Sequence, residues 1–323
     1  MSSAGERHYL SLAYHLSTEK RLQVLAALVD GTSERATERM TDVSAKTIRK
    51  FALRMGEGSQ RLHDRLIRDL RCWLVQMDEI WSYVGKKQKR ITPGDPPEFG
   101  DAYTFVAMES NSRLAISFHV GKRDQKNTDL FMQDLRSRVA VMPKMMTSDG
   151  FRPYISAVKE EFGRSIDYGQ MVKNYTKNKG RRDNDQYEPP REPFITKKTI
   201  YGAPDHDLIS TAYIERNNCT MRHFIGRMRR RCLAYSKKIE NHRAAVALNY
   251  VHYNFCHVVS TLRVTPAMQA GITDHVWDLE EFMDAVLTEE EAGKPKAKSL
   301  EHPKPETPAR ELPNGRGWLR VVK

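Results

Sequence analysis

The stretch CWLVQMDEIWSYV, residues Cys72 to Val84, is rich in β-branched and aromatic residues and reads as a β-strand with an acid, Asp78, in its middle. A charge inside an apolar strand is costly unless it faces a ligand or a partner. Two more strand-like stretches follow, AYTFVAME (Ala102 to Glu109) and RLAISFHVGK (Arg113 to Lys122). Between the first two, Lys86 to Gly100 carries a charged run and Pro93, Gly94, Pro96 and Pro97, which marks a loop. The three strands therefore form a meander. Beyond it the spacing predicts a helix from about Thr128 to Val139 and a short strand, KMMTSD, ended by Gly150. A second helix over Pro153 to Phe162 and a last strand around Ile166 to Val172 follow.

The resulting order, β-β-β-α-β-α-β, is that of a ribonuclease-H-like α/β domain. Upstream, Ser17 to about Asp69 reads as helical, with Leu22, Leu25, Ala26 and Val29 on one apolar face and Gly31 as its stop. A short helix from about Ser33 to Met40 breaks at Thr41-Asp42-Val43, and Ser44 is placed to cap a restarting helix, AKTIRKFALRM. Helix, tight turn, helix is the helix-turn-helix order. Lys46, Thr47, Arg49 and Lys50 would then lie where a recognition helix meets the major groove and its phosphates. A plain three-helix bundle with a solvated charged face has the same pattern. The polar, basic stretch from Lys173 to Ile209 has little periodicity and reads as a surface excursion. Helical periodicity returns at Ser210 and continues with breaks to about Val286. The expected organisation is thus an all-α N-terminal domain over 1–70 and a catalytic domain over 71–288 with a polar insert at 173–209. Residues 289–323, rich in Pro and charge, form a tail too polar to fold alone.

Lys and Arg number 53 against 41 Asp and Glu, a net charge of +12, which makes nucleic acid the first partner to consider, although an ordinary basic surface would give the same sum. Cys72, Cys219, Cys232 and Cys256 form no CxxC pair, so neither a zinc knuckle nor a disulfide framework is suggested. No apolar run approaches the roughly 20 residues that span a bilayer. The expected setting is a DNA-containing cytoplasm, or a nucleus where the host has one, with no membrane partner.

Phosphodiester chemistry with two divalent ions needs carboxylates brought together from different parts of a fold. Besides Asp78, Asp149 ends the strand KMMTSD at a carboxyl-terminal edge, where ligands commonly sit in open α/β sheets, although an acid there also serves to cap a helix. Glu79, next to Asp78, is expected on the opposite strand face and not at the same metal. Glu215 lies in the helical TAYIERNNCTMRHF with Arg222 seven residues on, about two turns along one face, a spacing that ordinary surface charges also show.

In family order from Met77 to Glu281, the segments MDEIWSYVGKK, TSDGFRPYISAVKEEFG, STAYIERNNCTMR, SKKIENHRAAVALNYVHYNFC and TLRVTPAMQAGITDHVWDLEE resemble transposases of the insertion-sequence-one family. They cover nearly two thirds of the chain. The resemblance implies a DDE transposase acting on transposon terminal inverted repeats and target DNA. It also implies two Mg²⁺ ions per site, with Mn²⁺ as a substitute, on Asp78, Asp149 and Glu215, and Arg222 near a DNA phosphate. Paired ends imply a homo-oligomer, a dimer, on DNA. Some members begin with a cysteine-based zinc finger, and this sequence has no Cys before Cys72.

RMRRRCLAYSKK gathers Arg227, Arg229, Arg230, Arg231, Lys237 and Lys238 around Tyr235, a composition suited to gripping phosphates with one ring to stack, although a solvated charged helix face has the same composition. Trp81, on the face opposite Asp78, is expected in the core, with a wedge between bases as the alternative. The rings of HYNFCHVV recur at helical spacing, which indicates packing. Two rivals remain open: a non-catalytic DNA-binding regulator, and a nuclease of the same fold without joining activity.

Overall fold

A computed structural model describes residues 16–174, 194–230 and 233–292. Three helices come first: α1 (Thr18–Val29), α2 (Glu34–Thr41) and α3 (Ala45–Leu66). Each begins at a serine whose hydroxyl accepts a backbone N–H of the first turn, Ser17, Ser33 and Ser44. α2 ends at Asp42 in a left-handed conformation, and Glu38 accepts the N–H of Ala45, so the turn into α3 is tied at both sides. α3 runs 22 residues and is the spine of the molecule. At Gly56 a Cβ would lie 2.3 Å from the Ala244 carbonyl oxygen, so only glycine admits so close a helix crossing.

The mixed α/β body is built on six strands, β1 (Leu74–Val84), β2 (Gly100–Glu109), β3 (Ala115–Gly121), β4 (Met145–Asp149), β5 (Asp167–Asn174) and β6 (Phe194–Tyr201), in the order β3-β2-β1-β4-β5-β6. β1, β4 and β5 are parallel neighbours, and β2, β3 and β6 run antiparallel to theirs. On one face lie α4 (Gln125–Arg138) and α5 (Pro153–Phe162), packed through Phe131, Leu135, Tyr154 and Phe162. On the other lie α6 (Ala212–Phe224) and α7 (Ile239–Phe255), packed through Ile214, Met221, Val246 and Tyr250. α8 (Pro266–Gln269) and α9 (Leu279–Ala292) close the chain, α9 against α3. One apolar cluster joins Val24, Ile48 and Phe51 of the N-terminal helices to Phe105 and Met146 of the sheet, so the core is continuous across residue 70.

The expected strand order is present with one addition. Residues 194–201, assigned from the sequence to an irregular excursion, form the edge strand β6. Its residues are mostly exposed, Phe194 by 72% and Ile195 by 49%, so no alternation of apolar and polar residues reveals it. Lys197 and Lys198 charge this edge, which discourages pairing with another sheet. Residues 175–193 of that insert and 293–323 of the expected tail lie outside the described residues. Among the described residues no helix is long and apolar enough to cross a membrane.

Candidate active site

β1 and β4 are hydrogen-bonded in parallel, and their last register pair is Met77 with Ser148. One step further, at the carboxyl end of β4, Asp78 and Asp149 therefore stand side by side. Parallel neighbours in register point their side chains to the same face, and adjacent strands are only about 4.8 Å apart. Asp78 is held at both oxygens: Oδ1 accepts the Glu79 N–H at 2.8 Å and Oδ2 accepts from Asn218 Nδ2 at 2.7 Å. Asp149 Oδ1 accepts the Phe151 N–H at 3.0 Å, which shapes the turn after β4. It does not cap α5, whose N-cap is Arg152 with no side-chain bond.

Glu79 departs from expectation. Its side chain leaves the opposite face of β1, toward Arg123, yet its carboxylate joins those of Asp78 and Asp149, with one oxygen of each within 4.8 Å of the others. Strict alternation fails here because glutamate carries one more methylene than aspartate and because Asp149 sits at the end of its strand, where a long side chain can reach round the edge. Arg123 bridges the two faces: its Nε donates to Glu79 Oε2 at 3.2 Å and its Nη2 lies 3.6 Å from Asp149 Oδ2. The same guanidinium lies 3.9 Å from the centre of the Phe151 ring.

Glu215, in the first turn of α6, faces the same cleft, which has a volume of about 820 Å³ and is lined by Asp78, Glu79, Asp149, Glu215, Arg222 and Arg230 among others. α6 is anchored over β1 because Gln76 Oε1 accepts the N–H groups of Tyr213 and Ile214. Glu215 itself is engaged by Lys173 Nζ at 2.7 and 2.8 Å and by the Thr211 hydroxyl. It stands apart from the tight group of three carboxylates.

Burial and mutual repulsion set the charge state of this group. Burial, followed by Asp149 and Glu79, pushes the Asp78 carboxyl up to about 7. Burial, followed by Asp149, does the same for Glu79, also to about 7, with Tyr154 and Arg123 pulling the other way. Asp149 is raised as well, mainly by burial. A divalent cation would relieve all three, and hard carboxylate oxygens from separate elements are the donors that Mg²⁺ and Mn²⁺ favour. The residues present therefore fit such an ion.

Of the basic residues singled out by sequence, Arg222 and Arg230 line the cleft, and Arg222 Nε is buried without a hydrogen-bond acceptor. Arg229, exposed, caps the end of α6 by donating to the carbonyls of Arg222 and His223. Arg227 is a correction. Its Nη1 donates inward to the Asn241 carbonyl at 2.9 Å and to Ser236 Oγ at 3.3 Å, so the guanidinium serves the fold and does not present itself to phosphate. Lys237 and Lys238 are exposed, and Arg231 lies outside the described residues. On α3, Lys46, Arg49 and Lys50 are exposed, Arg49 paired with Glu34 at 2.9 Å, while Thr47 is turned to Ser44 at 2.9 Å. Trp81 is the second correction: it is only half-buried and belongs to neither large apolar cluster, since β1 there extends beyond β4 and the helix layer.

Arg123, Lys173 and Asn218 went unnoticed in the sequence, and Glu79 was set aside there. Asn218 had a signal, since Glu215, Asn218 and Arg222 follow one another at helical spacings of three and four. Arg123 and Lys173 had none, because each is brought in by strand pairing distant in the chain.

The sequence matches no protein-family model and no curated protein. Among solved structures, the fold is similar to piggyBac transposase in a synaptic complex with hairpin DNA, at 12% identity over 88% of this chain and 75% of that chain, with a TM-score of 0.39. It is also similar to the Mos1 strand transfer complex, at 16% identity over 45% of this chain and 56% of that chain, with a TM-score of 0.19. A Mos1 transposase paired-end complex with the left transposon end matches at 15% identity over 45% of this chain and 58% of that chain, with a TM-score of 0.17. Likenesses this loose carry no argument about the chemistry, which rests on the geometry of the cleft.

Proposed function

We propose that this chain is a DNA transposase of the DDE type, with a ribonuclease-H-like catalytic fold, cleaving transposon ends and transferring the freed strand to target DNA. The observation that carries this reading is the convergence of Asp78, Asp149 and Glu215, from two parallel strands and one helix, on a single cleft rimmed by Arg222 and Arg230. Asp78 and Asp149, helped by Glu79 and Glu215, would hold two Mg²⁺ or Mn²⁺ ions. Bound there, the ions supply Lewis acidity to the attacking and leaving oxygens of the phosphodiester.

The protein's own groups do the positioning. Asn218 fixes the Asp78 carboxylate, and the Gln76 clasp on α6 sets Glu215 opposite it. Arg222, with an unmatched buried Nε, is placed to receive a phosphate oxygen, and Arg230 adds charge at the mouth. α2 and α3 serve as the helix-turn-helix, with Lys46, Arg49 and Lys50 toward DNA. Arg229, Lys237 and Lys238 extend the basic surface. A dimer on paired ends, in a DNA-containing cytoplasm, completes the reading.

The test uses a labelled duplex carrying the element's terminal repeat, a supercoiled target, and Mg²⁺ or EDTA. Joined product from wild type in Mg²⁺ alone, and none from Asp149→Asn, is the expected result. Binding without cleavage in Mg²⁺ would point to a regulator, and cleavage without joining to a nuclease.

A further inference from the structure

Three aromatic rings outside the large apolar clusters form a ladder beside the carboxylate cleft. Trp81 and Tyr83 alternate with Glu79 on one face of β1, so the rings begin about 7 Å from Glu79 and reach about 13 Å along the strand. Trp81 and Tyr83 are tilted neighbours with centres 5.9 Å apart, and Tyr235 stacks on Tyr83 at 5.0 Å with 22° between planes. The stack is built, not incidental. An isolated bridge pairs Val84 with Ser236, and the Ser236 carbonyl accepts the Gly85 N–H at 2.8 Å, which clamps the segment after α6 alongside the end of β1. His242 holds Ser236 from beneath, accepting or donating at 3.0 Å to both Ser236 and Ser82. Tyr235 remains 37% exposed.

The surroundings are mainly positive, with Asp101, paired opposite Tyr83 on β2, as the acidic neighbour on the same face. The turn that follows β1 carries exposed Lys87, Lys89 and Arg90, and Tyr235 is followed at once by exposed Lys237 and Lys238. Lys86 in the same turn is neutralised by Asp95, but the others have no carboxylate in ion-pair range among the described residues. Half-exposed rings between cations suit a polyanion with flat apolar groups, which is an unpaired nucleic-acid strand. A duplex would offer phosphates to the lysines but keep its bases from the rings.

We propose that the Trp81–Tyr83–Tyr235 ladder binds unpaired DNA bases by stacking and guides a single strand to the carboxylate cleft. It rests on the reading of the chain as a DNA-processing enzyme, and adds a binding mode for unpaired strand. The ladder tolerates any base, because every base has a face to stack.

The experiment is fluorescence anisotropy in EDTA with full-length protein and three labelled probes: an oligothymidylate, an abasic deoxyribose-phosphate strand of equal length and charge, and a blunt duplex. Tyr235→Ala and Trp81→Leu are each expected to weaken oligothymidylate binding about tenfold while leaving abasic-strand and duplex binding within about twofold. Tyr235→Phe, which keeps the ring, should bind as wild type does. Circular dichroism melting verifies that the variants are folded, and Tyr235→Ala, at an exposed ring, serves if Trp81→Leu does not fold. Equal losses for thymidylate and abasic strand, or no loss for either variant, would overturn the proposal. The outcome is separable from that of the transposase reading: ring-dependent binding without metal-dependent cleavage would sink the transposase reading alone, and cleavage without ring-dependent binding would sink the ladder alone.

Discussion

Arg138 and Asp78 are both charged side chains withdrawn from water, and they are surrounded in opposite ways. Arg138, 1% exposed, donates to Asp134 at 2.7 and 2.8 Å, to Asp64, and to the carbonyls of His63 and Ile67. Every nitrogen is used, and the group ties α3 to α4. Asp78 instead has two further carboxylates at hand, Asp149 and Glu79, and is pushed up to about 7 by burial and by those neighbours. A buried charge whose partners are complete is a structural tie. Like charges gathered around Asp78, answered only by Arg123 on Glu79 and Asp149, suit a divalent cation.

The contrast breaks most visibly at its structural end. Arg138→Met leaves two carboxylates and two carbonyls facing a side chain that cannot donate, and is expected to cost about 3–5 kcal/mol in urea denaturation. A smaller loss would mean that Asp64 and Asp134 simply turn to water. At the other end, Mg²⁺ should stabilise wild type by about 2.7 kcal/mol at a hundredfold excess over its Kd, read as a rise in Tm. That rise should be large at pH 8 and small at pH 5, where Asp78 and Glu79 are protonated.

The same carboxyls give the protein without metal a pH dependence of defined sign. Their folded-state values lie above those of the unfolded chain, so folding takes up protons between about pH 4 and 7. Their contribution is fully present below that window and is lost as the pH rises through about 7. Asp78→Asn removes one of the repelling charges and is expected to raise stability at pH 8 by about 1–3 kcal/mol, while flattening the profile over the window. An unchanged profile would show that burial and mutual repulsion do not raise these carboxyls.

Two arginines differ in the same way with smaller effects. Arg227→Ala should cost about 1–3 kcal/mol, because its inward hydrogen bonds to Asn241 and Ser236 are lost. Arg230→Ala, at the cleft mouth, should instead leave stability alone and weaken DNA binding. The smallest effect on stability is expected for Arg49→Ala, whose exposed pair with Glu34 is worth under about 1 kcal/mol. Its mark should be a reduction of about one in the salt slope of duplex binding.

Much of this was legible in the sequence, for physical reasons that differ by element. The apolar strands and the serine-capped helices announce themselves because hydrophobic period and capping chemistry are local. Asp78 was legible because a charge in an apolar strand is anomalous. β6 was hidden because an exposed edge strand such as FITKKTIY needs no apolar alternation. Glu79 was hidden because alternation describes where a side chain leaves the backbone and not where a long one ends. Arg227 was indistinguishable from its neighbours, since only the fold decides which arginine of RMRRR turns inward.

That Asp78 and Glu79 of β1 and Asp149 at the end of β4 form a metal centre is tested by Mn²⁺ binding followed by electron paramagnetic resonance at pH 8. Saturable binding to wild type that is abolished by Asp149→Asn and retained by Asp134→Asn is the expected result. Binding that survives Asp149→Asn unchanged would contradict the account.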